Sequence, residues 1–491
     1  MLTVDEIKEF IDQDSASTKK HHAKVGLRYY EADHDIKSYR IFYIDAEGNL
    51  QEDKNKSNIK ISHPFFTENV DQVVQYVLSG EDGFVKSDNP DLQAELDAYF
   101  NENEDFDAEL SEVLTGSIAK GFEYMYAYKN SEGRTAFQCA DGIGVVEVEA
   151  RFASDKKNHI LYHYLDRIDK DGKKIVKIQD WDDEQTWFYK QTGEGKILPD
   201  DGEKINPRPH TIYKKDGDEA IYYESFGYVP FFRLDNCKKQ FSGLKPIKAL
   251  IDDYDLMSCG LSNNIQDTNE SLYVVKGFQG DNLDELMVNI KAKKHIGVDE
   301  DGGVEIKTID IPYQARQTKL DLDEKNIYRF GMALNTSGLK DTNATTNLAI
   351  KSAYSLLDLK ATKIIKRLKQ FMRKLLKVVL AEINDREGTD YQQKDIYFNF
   401  EREIPTNEQE NAQIELTDAQ RKQTEINTIL NLAAHLDNET MMQLICEQLD
   451  IDYNDIKDKL PEQEAGTDPI QARTAIDAIQ TVEDPGGDMI E

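Results

Sequence analysis

The chain has 491 residues, 39% hydrophobic and 9% aromatic, which is enough apolar content for packed cores and a length that suggests about three domains. Its 93 acidic and 60 basic residues give a formal net charge of −33, which argues against tight, nonspecific nucleic-acid binding, since such affinity comes from cations neutralising phosphates. Four scattered cysteines (Cys139, Cys237, Cys259, Cys446), an N-terminus without an apolar signal core and the lack of any membrane-length apolar run predict a soluble protein made inside the cell, without disulfides or a structural zinc.

Residues 1–30 read as short helices, with Val4, Ile7, Phe10 and Ile11 on one face. His63–Leu78 has the spacing of an amphipathic helix, and Asp105–Lys120 repeats it with Phe106, Leu110, Val113, Leu114 and Ile118. From Gly121 to Phe232 the texture turns to β. The strings GFEYMYAY, RTAFQCA, GVVEVEARF, HILYHYLDRI, KKIVKIQ and QTWFYK, separated by turn signals such as SEGR and KDGK, predict antiparallel hairpins.

Helical spacing returns at Gly243, where Pro246 suits a first turn and Ile247, Leu250, Ile251, Tyr254, Met257, Leu261 and Ile265 carry the stripe to about Asn269. A compact insert follows. Ser271–Phe278 reads as a strand, Leu283–Lys293 as a helix, and HIGVD and VEIKTID as strands joined across Asp301-Gly302-Gly303. A further helix over Gln314–Leu334 leads to the polar loop NTSGLKDTNATTN, Asn335–Asn347. Between Gly338 and Gly388 there are then 49 residues without Gly or Pro, with Ala353, Leu357, Ile364, Leu368, Phe371, Leu375, Val379 and Ile383 at helical spacing. A helix of about 40 residues would span roughly 60 Å. Nine basic residues fall between Lys351 and Lys377, against the single acid Asp358. A strand (DIYFNFER), helices from Glu408 to about Leu460 and an acidic, Pro/Gly-bearing tail complete the chain.

Motifs for chemistry are missing. No G-x-x-x-x-G-K-[ST], H-E-x-x-H or G-x-S-x-G occurs, so no catalytic residue, metal ligand or cofactor is expected. His159 and His163 are four apart but lie on an expected strand, about 13 Å from one another, too far to share a metal. Asp180, Asp182, Asp183 and Glu184 around Trp181 read as a solvated turn. The polar loop has only Lys340 and Asp341 as charges and only Leu339 as a large apolar residue, so it has little to bury and should move more than its flanking helices. An acidic, β-rich hydrolase working with a carboxylate pair would leave the paired helices unexplained, and a coiled-coil scaffold or adaptor would leave the β-rich region unexplained.

Several strings, in this order, resemble the portal proteins of tailed bacteriophages of the siphophage head-to-tail connector type. They are KVGLRYYEADHDI, INPRPH (Ile205–His210), VPFFRLDNCKKQFSGLKPIKALIDDYD, DEDGGVEIKTIDIP and SAYSLLDLKATKIIKRLKQFMRKLL, covering roughly residues 20–405. The resemblance implies an α+β portal fold assembled as a ring, usually dodecameric. It implies an N-terminal region and β-rich wing over 1–242, stem helices at 243–270 and 313–334, and a small α/β clip at 271–312. It further implies a tunnel loop at 335–347, a long helix with a wing return strand at 348–404, and a crown with an acidic tail at 405–491. Asn335, Thr336, Ser337, Gly338, Leu339, Lys340, Asp341, Thr342 and Asn343 would face DNA in the tunnel. The implied role is a channel at one capsid vertex of the virion, assembled in the host cytoplasm, for packaging and ejecting double-stranded DNA with weak contacts. The implied partners are other copies of the chain, the terminase large subunit, the head-tail adaptor, and the major capsid and scaffolding proteins, with no membrane and no enzymatic turnover.

Overall fold

Local chemistry starts the helices where the chain needs them. Thr3 accepts a hydrogen bond from the Glu6 amide while Glu6 accepts one from the Thr3 amide, a reciprocal cap that opens α1 (Val4–Ser15). Ser17 caps α2 (Thr18–Tyr30) through the Lys20 amide. The computed structural model describes residues 1–45, 47–54, 56–80, 83–214, 220–267, 272–278, 298–307, 312–336, 347–402, 408–432, 435–436 and 438–448. The chain divides into two compact units, residues 1–343 with 351–404 and residues 344–350 with 405–491, not the three that length suggests.

In the larger unit the hairpin of β1 (Phe42–Ile44) and β2 (Leu50–Glu52) precedes α3 (Phe65–Val77). Strand β3 (Val85–Ser87), α4 (Pro90–Leu96, capped by Asn89) and a π-turn over Asp97–Asn101 lead into α5 (Glu104–Lys120). Gly121 ends α5 at φ +99, and a Cβ there would collide with the Gln240 carbonyl, so the stop requires glycine.

The β-rich stretch runs through β4 (Phe122–Lys129), β5 (Thr135–Ala140), β6 (Val145–Val148), β7 (His159–Ile168), β8 (Lys174–Trp181) and β9 (Gln185–Thr192). Short strands β10 (Leu198–Pro199), β11 (Arg208–Pro209), β12 (Thr211–Tyr213) and β13 (Tyr222–Glu224) follow, then β14 (Phe231–Asp235). All pair antiparallel. One sheet has the order β10-β9-β8-β7-β6 with β11 also on β9, a second has β14-β4-β5, and β12 pairs with β13. The string GVVEVEARF keeps strand structure only at Val145–Val148.

Helix α6 (Lys248–Asp267), β15 (Leu272–Phe278), β16 (Val298–Lys307) and α7 (Tyr313–Gly331) form the next section. The expected turn at Asp301-Gly302-Gly303 is absent. Those residues lie inside β16, with Gly303 opposite Lys276 in a ladder to β15 whose register shifts before Phe278. Glycine inside a strand here accompanies irregular pairing, not a reversal. The helix expected over Leu283–Lys293 lies outside the described residues.

The long helix, α8 (Asn347–Glu387), has 41 residues. Of its apolar stripe, Leu357, Ile364, Leu368, Phe371, Leu375, Val379 and Ile383 are buried, with Ala353 packed at the margin. They meet α3, α5, β4 and β5 in the main core. Strand β17 (Ile396–Phe398) then pairs with β3, tying the end of the body to its beginning. A second core packs Leu2 and Ile7 on Leu161, Ile178 and Trp187 of the larger sheet. The smaller unit contains α9 (Glu408–Asn431) and α10 (Asn438–Gln448), with Cys446 buried; residues beyond 448, including the expected helical stretch to Leu460 and the acidic tail, lie outside the described residues. The cysteines are free. No helix among the described residues is long and apolar enough to cross a membrane.

Candidate functional site

The two helices that flank the insert pack along one another, and the joint is partly ionic. Lys319 of α7 reaches both Asp253 of α6 and Asp323 of its own helix. At the inner end the joint becomes aromatic: Tyr254 meets the edges of His63 and Phe65, and Phe65 meets Tyr328 edge-on at 5.9 Å. The Tyr328 hydroxyl donates to Glu68 of α3 at 2.6 Å.

A buried carboxylate fastens α6 to the N-terminal segment. Asp255 has no exposed surface. Its two oxygens lie 2.6 Å from His34 Nδ1 and 2.7 Å from His63 Nδ1, and it also accepts the His63 amide at 3.0 Å. Burial alone would raise this carboxyl, but the hydrogen bonds from His34 and His63 hold it below the usual range. Ser258 Oγ lies 3.5 Å from His63 Nε2, which puts a serine, a histidine and an aspartate in series. The serine contact is at the outer limit of a hydrogen bond, and His34 shares the carboxylate. Phe65 and Tyr254 crowd His63. The trio is a packed joint, not a nucleophile aimed at a cleft.

The residues just before the polar loop, and those well inside the helix after it, both contact α3. Before the loop, Met332 takes the left-handed conformation that ends α7. Gln72 of α3 then accepts the Leu334 amide at 2.9 Å and donates to its carbonyl at 3.1 Å. The next residue, Asn335, reaches Glu324, and Thr336 is exposed. Beyond the loop, about three turns into α8, Asp358 accepts from the Tyr76 hydroxyl of α3 at 3.2 Å and pairs with Arg402 at 2.8 Å. Two residues on, the Lys360 amine donates to the Gly331 carbonyl at 2.9 Å and to the Asn69 carbonyl at 3.3 Å. Lys360 thus joins the end of α7 and helix α3 to α8. Burial pushes this amine down to about 8. Of the predicted loop residues, Asn335 and Thr336 are seen at the start of the loop, whereas Ser337, Gly338, Leu339, Lys340, Asp341, Thr342 and Asn343 lie outside the described residues.

His159 and His163 sit on β7 as expected. His159 Nδ1 lies 2.7 Å from Asp180 and its Nε2 2.9 Å from Asp155, so both ring nitrogens are engaged within the protein. The acidic cluster is not a solvated turn throughout: Asp180 and Asp182 are 0% and 2% exposed. Asp182 accepts the Glu184 and Gln185 amides at 2.8 Å each, so one carboxylate forms the tight corner between β8 and β9, while Lys157 approaches Asp182, Asp183 and Glu184 from outside. Among the described residues no cluster of three or more His, Cys, Asp or Glu is placed to hold a metal ion.

Sequence reasoning missed the seat that α3 provides for the residues before the loop and for the helix after it. One signal for it exists: Lys360 falls in phase with Leu357 and Ile364, where the stripe calls for an apolar residue.

With this geometry in hand, the comparisons agree with one another. Residues 10–452 match the family described as "Phage portal protein, SPP1 Gp6-like". The portal protein of Bacillus phage SPP1 is 28% identical over 383 residues, covering 76% of this chain and 73% of that protein. The portal protein of Clostridium phage phiCD119 is 30% identical over 194 residues, covering 38% of this chain and 42% of that protein.

Proposed function

Because the chain belongs to the SPP1 Gp6-like phage portal family, we propose that it forms a closed ring at one capsid vertex, through whose channel genomic DNA is packaged and later ejected. In this reading α6 and α7 are the stem and the insert between them is the clip, which docks the terminase large subunit and then the head-tail adaptor. The sheets around β4–β14 are the wing, and the segment from residue 405 is the crown. Assembly takes place in the host cytoplasm alongside major capsid and scaffolding proteins.

The observation that carries the reading is that contacts on both sides of the loop converge on α3: Gln72 holds Leu334 just before it, and Tyr76 and Asn69 meet Asp358 and Lys360 of the 41-residue helix that follows, which supports a loop projecting from a fixed seat. Copies of Asn335–Asn343 would encircle the channel, each offering Lys340 as a weak, salt-screened contact to passing phosphates. A charge of −33 per chain supports sliding and not gripping. The protein itself turns nothing over; the motor's ATPase is a separate chain.

Mass is the test. Repeated head-to-tail contacts close rings, and about twelve copies of a 56.3 kDa chain weigh roughly 680 kDa. Light scattering that finds only monomer or dimer at micromolar concentration, across a range of salt, would refute it.

A further inference from the structure

The outer face of α8 has no role in the channel reading. Lys363, Lys366, Arg373, Lys374 and Lys377 are exposed, and at 3.6 residues per turn all five fall on one side of the helix, a ridge opposite the buried stripe. No acid interrupts the helix between Leu359 and Ala381. Among the described residues the ion pairs of α8 are confined to Asp358, Glu382, Arg386 and Glu387, so the ridge is not neutralised from within. Like charges at this spacing repel one another, and they are tolerated best where an opposite surface covers them.

That opposite surface is on the same chain. From Ser87 to Ala119 there are ten acids and no Lys or Arg. Asp88, Asp91, Glu102, Glu104, Asp105 and Asp107 are exposed along α4, α5 and the turn between them. The dipoles of two helix starts favour the acids in the first turns, but not the absence of every cation over the whole stretch. Among the described residues its ion pairing is limited to Glu95 with Arg386. Helices α5 and α8 contribute buried residues to one core, and these exposed residues turn away from it.

We propose that the basic ridge of α8 in one copy docks on the acidic α4–α5 edge of a second copy of this chain. The proposal rests on the ring reading and assigns it a contact. Ridge and edge are different parts of one surface, so the contact is head-to-tail and repeats from copy to copy, as ring closure requires. Arg373 is held with its guanidinium 5.5 Å from the Phe398 ring centre, and Gln393 donates to the Arg373 carbonyl, so this part of the ridge is preorganised. Beside it opens a groove of about 520 Å³ whose rim carries Lys374, Lys377, Glu224 and Glu382 and whose floor includes Phe226 and Tyr228, an apolar seat for a side chain from the second copy. Screening acts over about 8 Å at physiological salt, so the charges choose partner and register while apolar contacts hold the copies together.

The test uses two full-length double variants, Lys366→Glu with Arg373→Glu, and Asp105→Lys with Asp107→Lys. All four positions are exposed, so both variants should fold, which circular dichroism checks. Sedimentation of each alone should show a several-fold loss of ring at about 150 mM salt, because like charge then faces like. A one-to-one mixture should recover rings, since each altered surface meets its complement in alternating copies. Normal assembly of both variants alone, with wild-type rings intact, would overturn the docking and leave the ring reading standing. Failure of the mixture to recover would also overturn it, and so would variants that assemble normally but lose retention on duplex DNA, which would reassign the ridge to nucleic acid. A wild-type chain that never assembles would remove the ring reading and this contact together.

Discussion

Replacing Lys360 by Met tests the seat of the loop through proton linkage. The amine lies at about 8 in the fold, whereas an unfolded chain holds lysine near 10.4. At about 1.36 kcal/mol per unit this separation corresponds to an upper figure of about 3 kcal/mol. Below pH 8 both states keep the proton and the native state carries the full penalty of a buried cation. Between about 8 and 10.4 the unfolded chain keeps the proton and the native chain does not, so stability rises with pH. Above that window the penalty is gone. The difference in stability, wild type minus Lys360→Met, should therefore shift in favour of wild type by up to about 3 kcal/mol between pH 7 and pH 10.5. Over the roughly 400 residues of the larger unit, with an unfolding entropy of about 2.1 cal/mol/K per residue, this is a change of about 3–4 °C in the gap between the two melting temperatures. Paired melts at matched scan rates read it directly, and other titrating groups cancel in the difference. A gap that stays flat or moves the other way refutes the enclosed amine and its bridge to Gly331.

Asp255→Ala strands two histidine nitrogens and one amide in a buried joint, so a loss of about 3–5 kcal/mol is expected. Hydrogen exchange should quicken at residues 34–39 and 57–63; unchanged protection there would contradict the joint. Gly121→Ala introduces a Cβ against the Gln240 carbonyl at a positive φ, and a loss of solubility or a clear drop in melting temperature is expected, with a wild-type melt the contrary result. Lys340→Glu should leave ring mass unchanged while lowering packaged DNA, measured as phage yield in a complementation assay. Normal yield would remove the channel role of that cation.

Much of the architecture was legible because long helices and hairpins are local objects. The stripe from Leu357 to Ile383 has one period and no breaker, and the β4–β5, β7–β8 and β8–β9 pairs are hairpins closed by short turns. Legibility ended where partners come from afar. Nothing near Leu334 announces that Gln72 will satisfy both its backbone groups, and nothing near Asp255 announces His34 and His63. The Asp182 corner was misjudged for a related reason: in a chain with 93 acids, the carboxylate that caps a turn looks no different from its solvated neighbours. The glycines at 302 and 303 misled in the opposite direction, since the pairing with β15 outweighed a local turn signal.

The ladder between β3 and β17 bears on the order of events as the chain leaves the ribosome. Val85–Ser87 finds its neighbour only at Ile396–Phe398, and the main core needs Phe371, Leu375 and Val379 from the same late stretch. At about 5–20 residues per second, the first half of that core waits roughly 15–60 s for the second. For most of that interval the apolar faces of α3 and α5 lack the part of their cover that α8 supplies, and the basic ridge is made only near its end. On the proposed contact, a nascent chain carries its acidic edge long before its ridge, so a chain can present both halves of that contact only once α8 has been made.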